Sequence, residues 1–191
     1  LHCSSAASDV YKRQGGFFPG TEEERIAILE HAIASGVTWI DLESSIEEDT
    51  LNGLLAAAKK NGCKIVYSSH DINGTPNSED IASFVRDNGE RGDLIKFCST
   101  AHSHLDALQI VDAAIELKGE GIDYSVMAVN SGGDWARIHA PVLGVSMVYA
   151  TLSMEHRISD KGLINVRDLR DAWTLLELSL IHISEPTRPN N

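Results

Sequence analysis

A lysine inside an apolar strand is the residue of this chain with the clearest chemical use. Lys96 stands in the run Leu94-Ile95-Lys96-Phe97-Cys98. Lysine is seldom buried without a partner. Desolvation lowers its pKa and leaves a neutral, nucleophilic amine, which can condense with a ketone to an imine. The competing reading is a strand-edge lysine whose stem carries the ammonium out to water. His70 ends the preceding apolar run, and a histidine there is a candidate general acid and base near neutral pH. A loop histidine hydrogen-bonded for structure fits the same position. Arg137 follows the glycine-bearing loop Asn130-Ser131-Gly132-Gly133-Asp134-Trp135-Ala136. It suits a carboxylate gripped by two parallel hydrogen bonds, or a surface ion pair. Asp41 and Glu43 share one face of a strand, since alternate residues do. They can orient the lysine or the histidine, or neutralise a buried cation. His31, His102, His104 and His139 show no ligand spacing and read as surface or supporting residues.

These side chains need a scaffold, and the pattern supplies one in strand-then-helix units. Thr21-Glu22-Glu23-Glu24 has the form of a capping box, Ile26, Leu29 and Ile33 follow at helical spacing, and Gly36 stops the helix. Residues 38–43 form a strand, 47–60 a helix ended by Asn61-Gly62, and 64–68 a second strand. Thr75-Pro76 makes a turn, and Ser78 caps a helix through Arg86. Strand 93–98, a helix capped by Ser103, strands 124–129 and 144–150, and a helix over 166–177 complete the series. Such alternation means parallel strands covered by helices. No glycine-rich phosphate loop follows a strand. Glu43, Ser69-His70-Asp71, Lys96 and Asn130 fall at the C-terminal ends of successive strands, where a closed α/β barrel gathers its chemistry. The expected fold is therefore an α/β protein of the (β/α)8 TIM-barrel type, with five strands of eight in view.

The bulk properties narrow the setting. The 191 residues are 42% hydrophobic and carry a net charge of −12, enough for one domain with a core. The charge argues against nucleic acid and anionic membrane as partners. Cys3, Cys63 and Cys98 lack zinc or disulfide spacing, which fits a reducing, cytoplasmic compartment without a metal site. Neither a membrane span nor a signal segment is visible. Residues 1–14 and 178–191 show no continuing period and resemble translated adapter sequence. The expected natural domain is thus 15–177, a partial barrel catalytic domain.

Taken in order, Gly15-Gly16-Phe17, Ile40-Asp41-Leu42-Glu43, Ser68-Ser69-His70-Asp71, Thr75-Pro76, Gly92-Asp93-Leu94-Ile95-Lys96, the stretch from Met127 to Arg137, and Gly144-Val145-Ser146 resemble type I 3-dehydroquinate dehydratase. The resemblance implies a (β/α)8 barrel of the shikimate pathway acting on 3-dehydroquinate. Lys96 would form the imine, His70 would move the protons, Arg137 would bind the substrate carboxylate, and Ser159 would contact substrate. No cofactor or metal is implied, and a homodimer is left open for the full-length form.

The sequence departs from that pattern in places. Gln14 stands where the family carries the glutamate that partners the histidine, and Leu163 stands at a substrate-contacting glutamine. An arginine shortly before Gly15 and a Glu-x-Arg motif of an earlier strand have no counterpart. The expectation is an N-terminally truncated barrel, unstable or aggregating as written, with little or no activity. Two other readings stay open. One is another lysine-imine barrel such as a class I aldolase, which lacks the Ser-x-His-Asp with Thr-Pro. The other is a non-catalytic domain that senses dehydroquinate or quinate.

Overall fold

A computed structural model describes residues 20–152 and 163–184. Helix α1 spans Glu22–Ala34. Its capping box forms as the sequence dictates: the Glu24 N–H donates to Thr21 Oγ1 at 3.3 Å, and the Thr21 N–H donates to Glu24 Oε2 at 2.8 Å. Leu29 and Ile33 are buried, and Gly36 turns the chain at φ +79°. Strand β1 (Trp39–Glu43), α2 (Glu48–Lys60), β2 (Lys64–Asp71), α3 (Ser78–Asp87), β3 (Leu94–Ala101), α4 (His104–Leu117) and β4 (Tyr124–Asn130) follow. Two short helices, α5 (Trp135–Ile138) and α6 (Ala140–Leu143), lead to the last helix, α7 (Val166–Ser184). None of the described helices is long and apolar enough to cross a membrane.

The four strands are parallel and lie in the order β1-β2-β3-β4. Chain order without reversal is how a barrel wall is wound; an open doubly wound sheet reverses at a switch point. Alternation divides the wall into two faces. Ile40 and Leu42, Ile65 and Tyr67, Ile95 and Phe97, and Val126 and Ala128 pack with Leu51, Ile81, Val85, Ile110 and Leu117 of the helices into one apolar core. The alternate residues Asp41, Glu43, Ser68, Lys96 and Ser125 are buried on the other face. Helix-side apolar area supplies the driving force for folding, so the opposite face is free to hold polar groups.

Three details differ from the sequence reading. Asn77, not Ser78, caps α3: its Oδ1 accepts from the Asp80 N–H at 2.8 Å, while the Ser78 N–H donates to Gln109 Oε1 at 2.9 Å. Strand β3 runs three residues beyond Cys98, so Lys96 lies well inside the strand and not at its end. Residues 144–150 form no ladder. The chain leaves α6 through Gly144 at φ +79°, the Ser146 N–H donates to Tyr124 O at 2.9 Å, and Thr151 bridges Asn165 in parallel. Four strands therefore stand among the described residues where five were expected.

Gly133 in the turn after β4 has no room for a side chain. A Cβ on Gly133 would lie 2.7 Å from Ala128 O and 3.0 Å from Val129 Cα, both main-chain atoms that cannot step aside. Gly133→Ala is expected to cost about 1–3 kcal/mol, seen as a fall of several degrees in Tm. An unchanged melting curve would contradict that packing.

Candidate active site

The register of the sheet builds the site. Glu43 pairs with Ser68, Ser68 with Lys96, and Lys96 with Ser125. Partners in a parallel ladder share a face, so these four form one polar layer of the wall. His70 pairs with Cys98, and Cys98 with Met127, one layer nearer the C-terminal ends. Interiors of such barrels are filled mainly by bulky apolar side chains. A polar layer here needs internal partners for its groups, because unpaired burial is costly.

Those partners form a continuous chain. Lys96 Nζ donates to Asp41 Oδ2 at 3.0 Å, with both side chains 1% exposed. Ser68 Oγ lies 2.5 Å from Asp41 Oδ1 and 3.2 Å from Glu43 Oε2. Glu43 Oε2 lies 2.5 Å from His70 Nδ1, and Glu43 Oε1 accepts the His70 main-chain N–H at 3.1 Å. A carboxylate facing Nδ1 assigns the proton to that nitrogen in the neutral ring, which leaves Nε2 with the lone pair. Among the described residues, His70 Nε2 is buried without a hydrogen-bond partner. The ring of Tyr149, from the segment after α6, sits with its centroid 4.8 Å from Lys96 Nζ. An ammonium over an aromatic face is a favourable arrangement.

The electrostatics correct one expectation. Burial does pull the Lys96 ammonium toward the neutral form, and desolvation is the largest single influence on it. Attraction from Asp41, with Tyr149 and the Asp41 hydrogen bond, outweighs burial and raises the pKa above the usual lysine value. Lys96 at rest is a paired ammonium, not a free amine. Burial pushes the Cys98 thiol up, against the attraction of Lys96 and Arg137. It also pushes the Tyr149 phenol up, against Lys96. A raised lysine pKa contributes stability that is fully present below the unfolded value of about 10.4 and is lost as pH climbs through the folded value.

Arg137 is 1% exposed. Its Nη1 donates to Ala128 O at 2.9 Å and to Gly133 O, and Nη2 lies 3.5 Å from Met127 Sδ. Burial lowers its pKa, with Cys98 and Asp134 opposing. Trp173 of α7 donates its indole N–H to Arg137 O at 3.0 Å. Arg137 thus anchors the loop after β4 beside the polar layer. Ser159 and Gln14 lie outside the described residues; Leu163 is half-buried.

The structure brings Asp41, Glu43, His70 and Lys96 into one hydrogen-bonded group and sets Arg137, on α5, against the C-terminal end of β4. Ser68 and Tyr149 were not singled out from sequence as site residues. Ser68 is marked only as the serine of the Ser-x-His-Asp motif that carries the resemblance. Tyr149 carries no such mark.

Comparisons with known proteins bear on this geometry. A family profile described as type I 3-dehydroquinase matches residues 10–179. A 3-dehydroquinate dehydratase of Methanococcoides burtonii is 28% identical over 172 residues, covering 90% of this chain and 70% of the relative. One from Salmonella agona is 29% identical over 168 residues, covering 86% and 66%. The crystal structure of 3-dehydroquinate dehydratase from Geobacillus kaustophilus superposes with a TM-score of 0.77 at 24% identity, over 87% of this chain and 65% of that one. The Clostridium difficile type I enzyme, solved with covalently modified comenic acid, gives 0.75 at 23% identity over 86% and 65%. The chain therefore spans about two thirds of the solved structures it matches. Their likeness assigns the α/β barrel fold.

Proposed function

The chain belongs to the type I 3-dehydroquinase family, and from that membership we propose that its site removes water from 3-dehydroquinate through an imine on Lys96, giving 3-dehydroshikimate. The observation that carries this reading is the buried chain Lys96–Asp41–Ser68–Glu43–His70. It joins an amine able to form the imine to a histidine able to move protons.

The chemistry follows from these groups. Lys96 passes one proton to Asp41, the carboxylate at 3.0 Å, and its amine attacks the substrate ketone. Asp41 returns that proton to the carbinolamine hydroxyl, which leaves as water, and the resulting iminium draws electrons from the neighbouring carbon and acidifies its C–H. His70 Nε2 takes that proton, with Glu43 stabilising the imidazolium that results. The same nitrogen returns the proton to the departing hydroxyl, and hydrolysis of the imine frees the product and Lys96. Arg137 binds the substrate carboxylate, and Ser159 contacts substrate. The setting is the cytoplasm and the shikimate pathway, with no nucleic acid or membrane partner. Because the relatives are longer than this chain, turnover by these 191 residues alone is expected to be low. Capture of the imine is the more direct readout.

Incubation with 3-dehydroquinate and borohydride, followed by peptide mapping, is expected to place one adduct on Lys96. Folded protein that binds the substrate but takes no adduct would favour the ligand-sensing reading. An adduct formed instead with an aldolase-type ketone substrate, and not with 3-dehydroquinate, would favour another imine barrel.

A further inference from the structure

A guanidinium that grips a carboxylate with two hydrogen bonds needs a fixed plane as well as a fixed place, because both N–H groups must line up with both oxygens. The described bonds from Arg137 to β4 and its turn centre on one nitrogen: Nη1 donates to Ala128 O at 2.9 Å and to Gly133 O. Nη2 meets only a weak acceptor there, Met127 Sδ at 3.5 Å. A group pinned at one atom still swings about it, so the direction of the plane depends on where the main chain of Arg137 sits. That main chain belongs to α5, a helix of four residues. One turn does not hold its own place, since its few hydrogen bonds do not offset the order it imposes. Other elements must place it. Ala136 is buried in the apolar core. Trp135 stacks on His104 of α4 with ring centroids 5.1 Å apart. Trp173 of α7 donates its indole N–H to the carbonyl of Arg137 itself, at 3.0 Å.

Resting on the reading of Arg137 as the carboxylate binder, we propose that Trp173 is a positioning residue for substrate binding: its indole N–H fixes the main chain of Arg137 and so aims the guanidinium. Helix α7 has the anchorage to do this. Leu169 is 2% exposed and its N–H donates to Asn165 O at 3.0 Å. Asn165 in turn bridges Thr151, in the segment after α6. Trp173 follows Leu169 by four residues and so lies on the same face of the helix. The indole suits the position because it combines a large apolar ring with a single donor and no acceptor. Phenylalanine would fill much of the same space and leave the carbonyl without that donor. The last helix thus acts on the substrate through Arg137.

The effect should be confined to the carboxylate. Lys96, Asp41, Ser68, Glu43 and His70 are joined to one another across β1, β2 and β3, and none of those hydrogen bonds passes through α5 or α7. Loosening Arg137 should weaken recognition of a carboxylate and leave the attack of Lys96 on a ketone as it was.

The test measures borohydride trapping on Lys96 against ketone concentration, in the 191-residue chain and in Trp173→Phe. Two ketones are compared: 3-dehydroquinate, and the same hydroxylated cyclohexanone without its carboxylate. Trp173→Phe is expected to raise the half-saturating concentration of 3-dehydroquinate about fivefold, the worth of one hydrogen bond, with the maximal trapping rate kept. The carboxylate-free ketone should be trapped at the wild-type second-order rate. Should the phenylalanine variant show no cooperative unfolding transition, site-specific replacement of Trp173 by 3-benzothienylalanine keeps the shape, puts sulfur in place of the N–H, and is expected to give the same result. An unchanged half-saturating concentration in the folded variant overturns the proposal. So does an equal loss with both ketones, which marks Trp173 as a contact of the fold only. A wild type that traps both ketones equally well overturns the reading of Arg137, and no adduct from either ketone overturns the imine reading; the proposal falls with each.

Discussion

Lys96→Met is expected to abolish the trapped adduct completely and, separately, to destabilise the fold by about 3–5 kcal/mol. The first effect is chemical, since methionine has no amine to form an imine. The second comes from the company Lys96 keeps. Its ammonium is the cation paired with Asp41 at 3.0 Å inside a wall that excludes water, with both side chains 1% exposed. Methionine fills much of the volume but leaves Asp41 a buried anion with Ser68 as its remaining partner in the layer. A buried pair broken on one side costs more than the pair was worth, because the surviving charge has lost its counter-charge. Pairing the substitution with Asp41→Asn removes that charge. The double variant is expected to recover part of the lost stability while still forming no adduct. Denaturant titration of the four proteins of the cycle measures the coupling, expected at about 0.5–3 kcal/mol for residues in contact. Additive losses would mean that the two side chains do not interact as the geometry shows. An adduct that persists in Lys96→Met would move the chemistry to another amine.

His70→Gln should separate imine formation from elimination. Glutamine can still donate a hydrogen bond toward Glu43, so the variant leaves the carboxylate a partner. It cannot take up and return a proton near neutral pH. Lys96 remains able to form its imine, but abstraction of the neighbouring proton is expected to slow by about 10²–10⁴. The trapped species should therefore change. In the wild type, adduct of the dehydrated product accumulates; in the variant, the adduct should be heavier by one water. Mass spectrometry of the Lys96 peptide distinguishes the two without requiring turnover. Equal proportions of both adducts in the two proteins would show that His70 does not carry the proton, and that Nε2, buried without a partner among the described residues, has some other use.

Much of the site was legible from residue types. A lysine between Ile95 and Phe97, a histidine closing the previous apolar run, and two carboxylates alternating on a strand are local signals. Each depends only on the period of the strand and on where apolar residues stop. The same holds for the capping box at Thr21 and Glu24 and for the left-handed Gly36 that ends α1. The alternation of strand and helix also indicated parallel strands, and the polar residues at successive strand ends pointed to the barrel. The reach of β3 past Lys96 and the missing ladder over residues 144–150 were not legible. The hydrogen bonds that make a strand come from its neighbour and not from its own residues.

What only the tertiary structure decided is which groups touch, and hence their state of charge. Ser68 meets Asp41 across 27 positions of sequence, and Lys96 meets it across 55. Tyr149 reaches the ammonium from a segment that read as a strand but forms no ladder. Composition and period fix which face a side chain takes, because that is set by the backbone repeat. They do not fix its partners, because a pKa answers to every charge within a few ångströms, whatever its place in the chain. That is why the sequence pointed to a buried Lys96 and led to a neutral amine, while the folded protein holds the same lysine as an ammonium on Asp41.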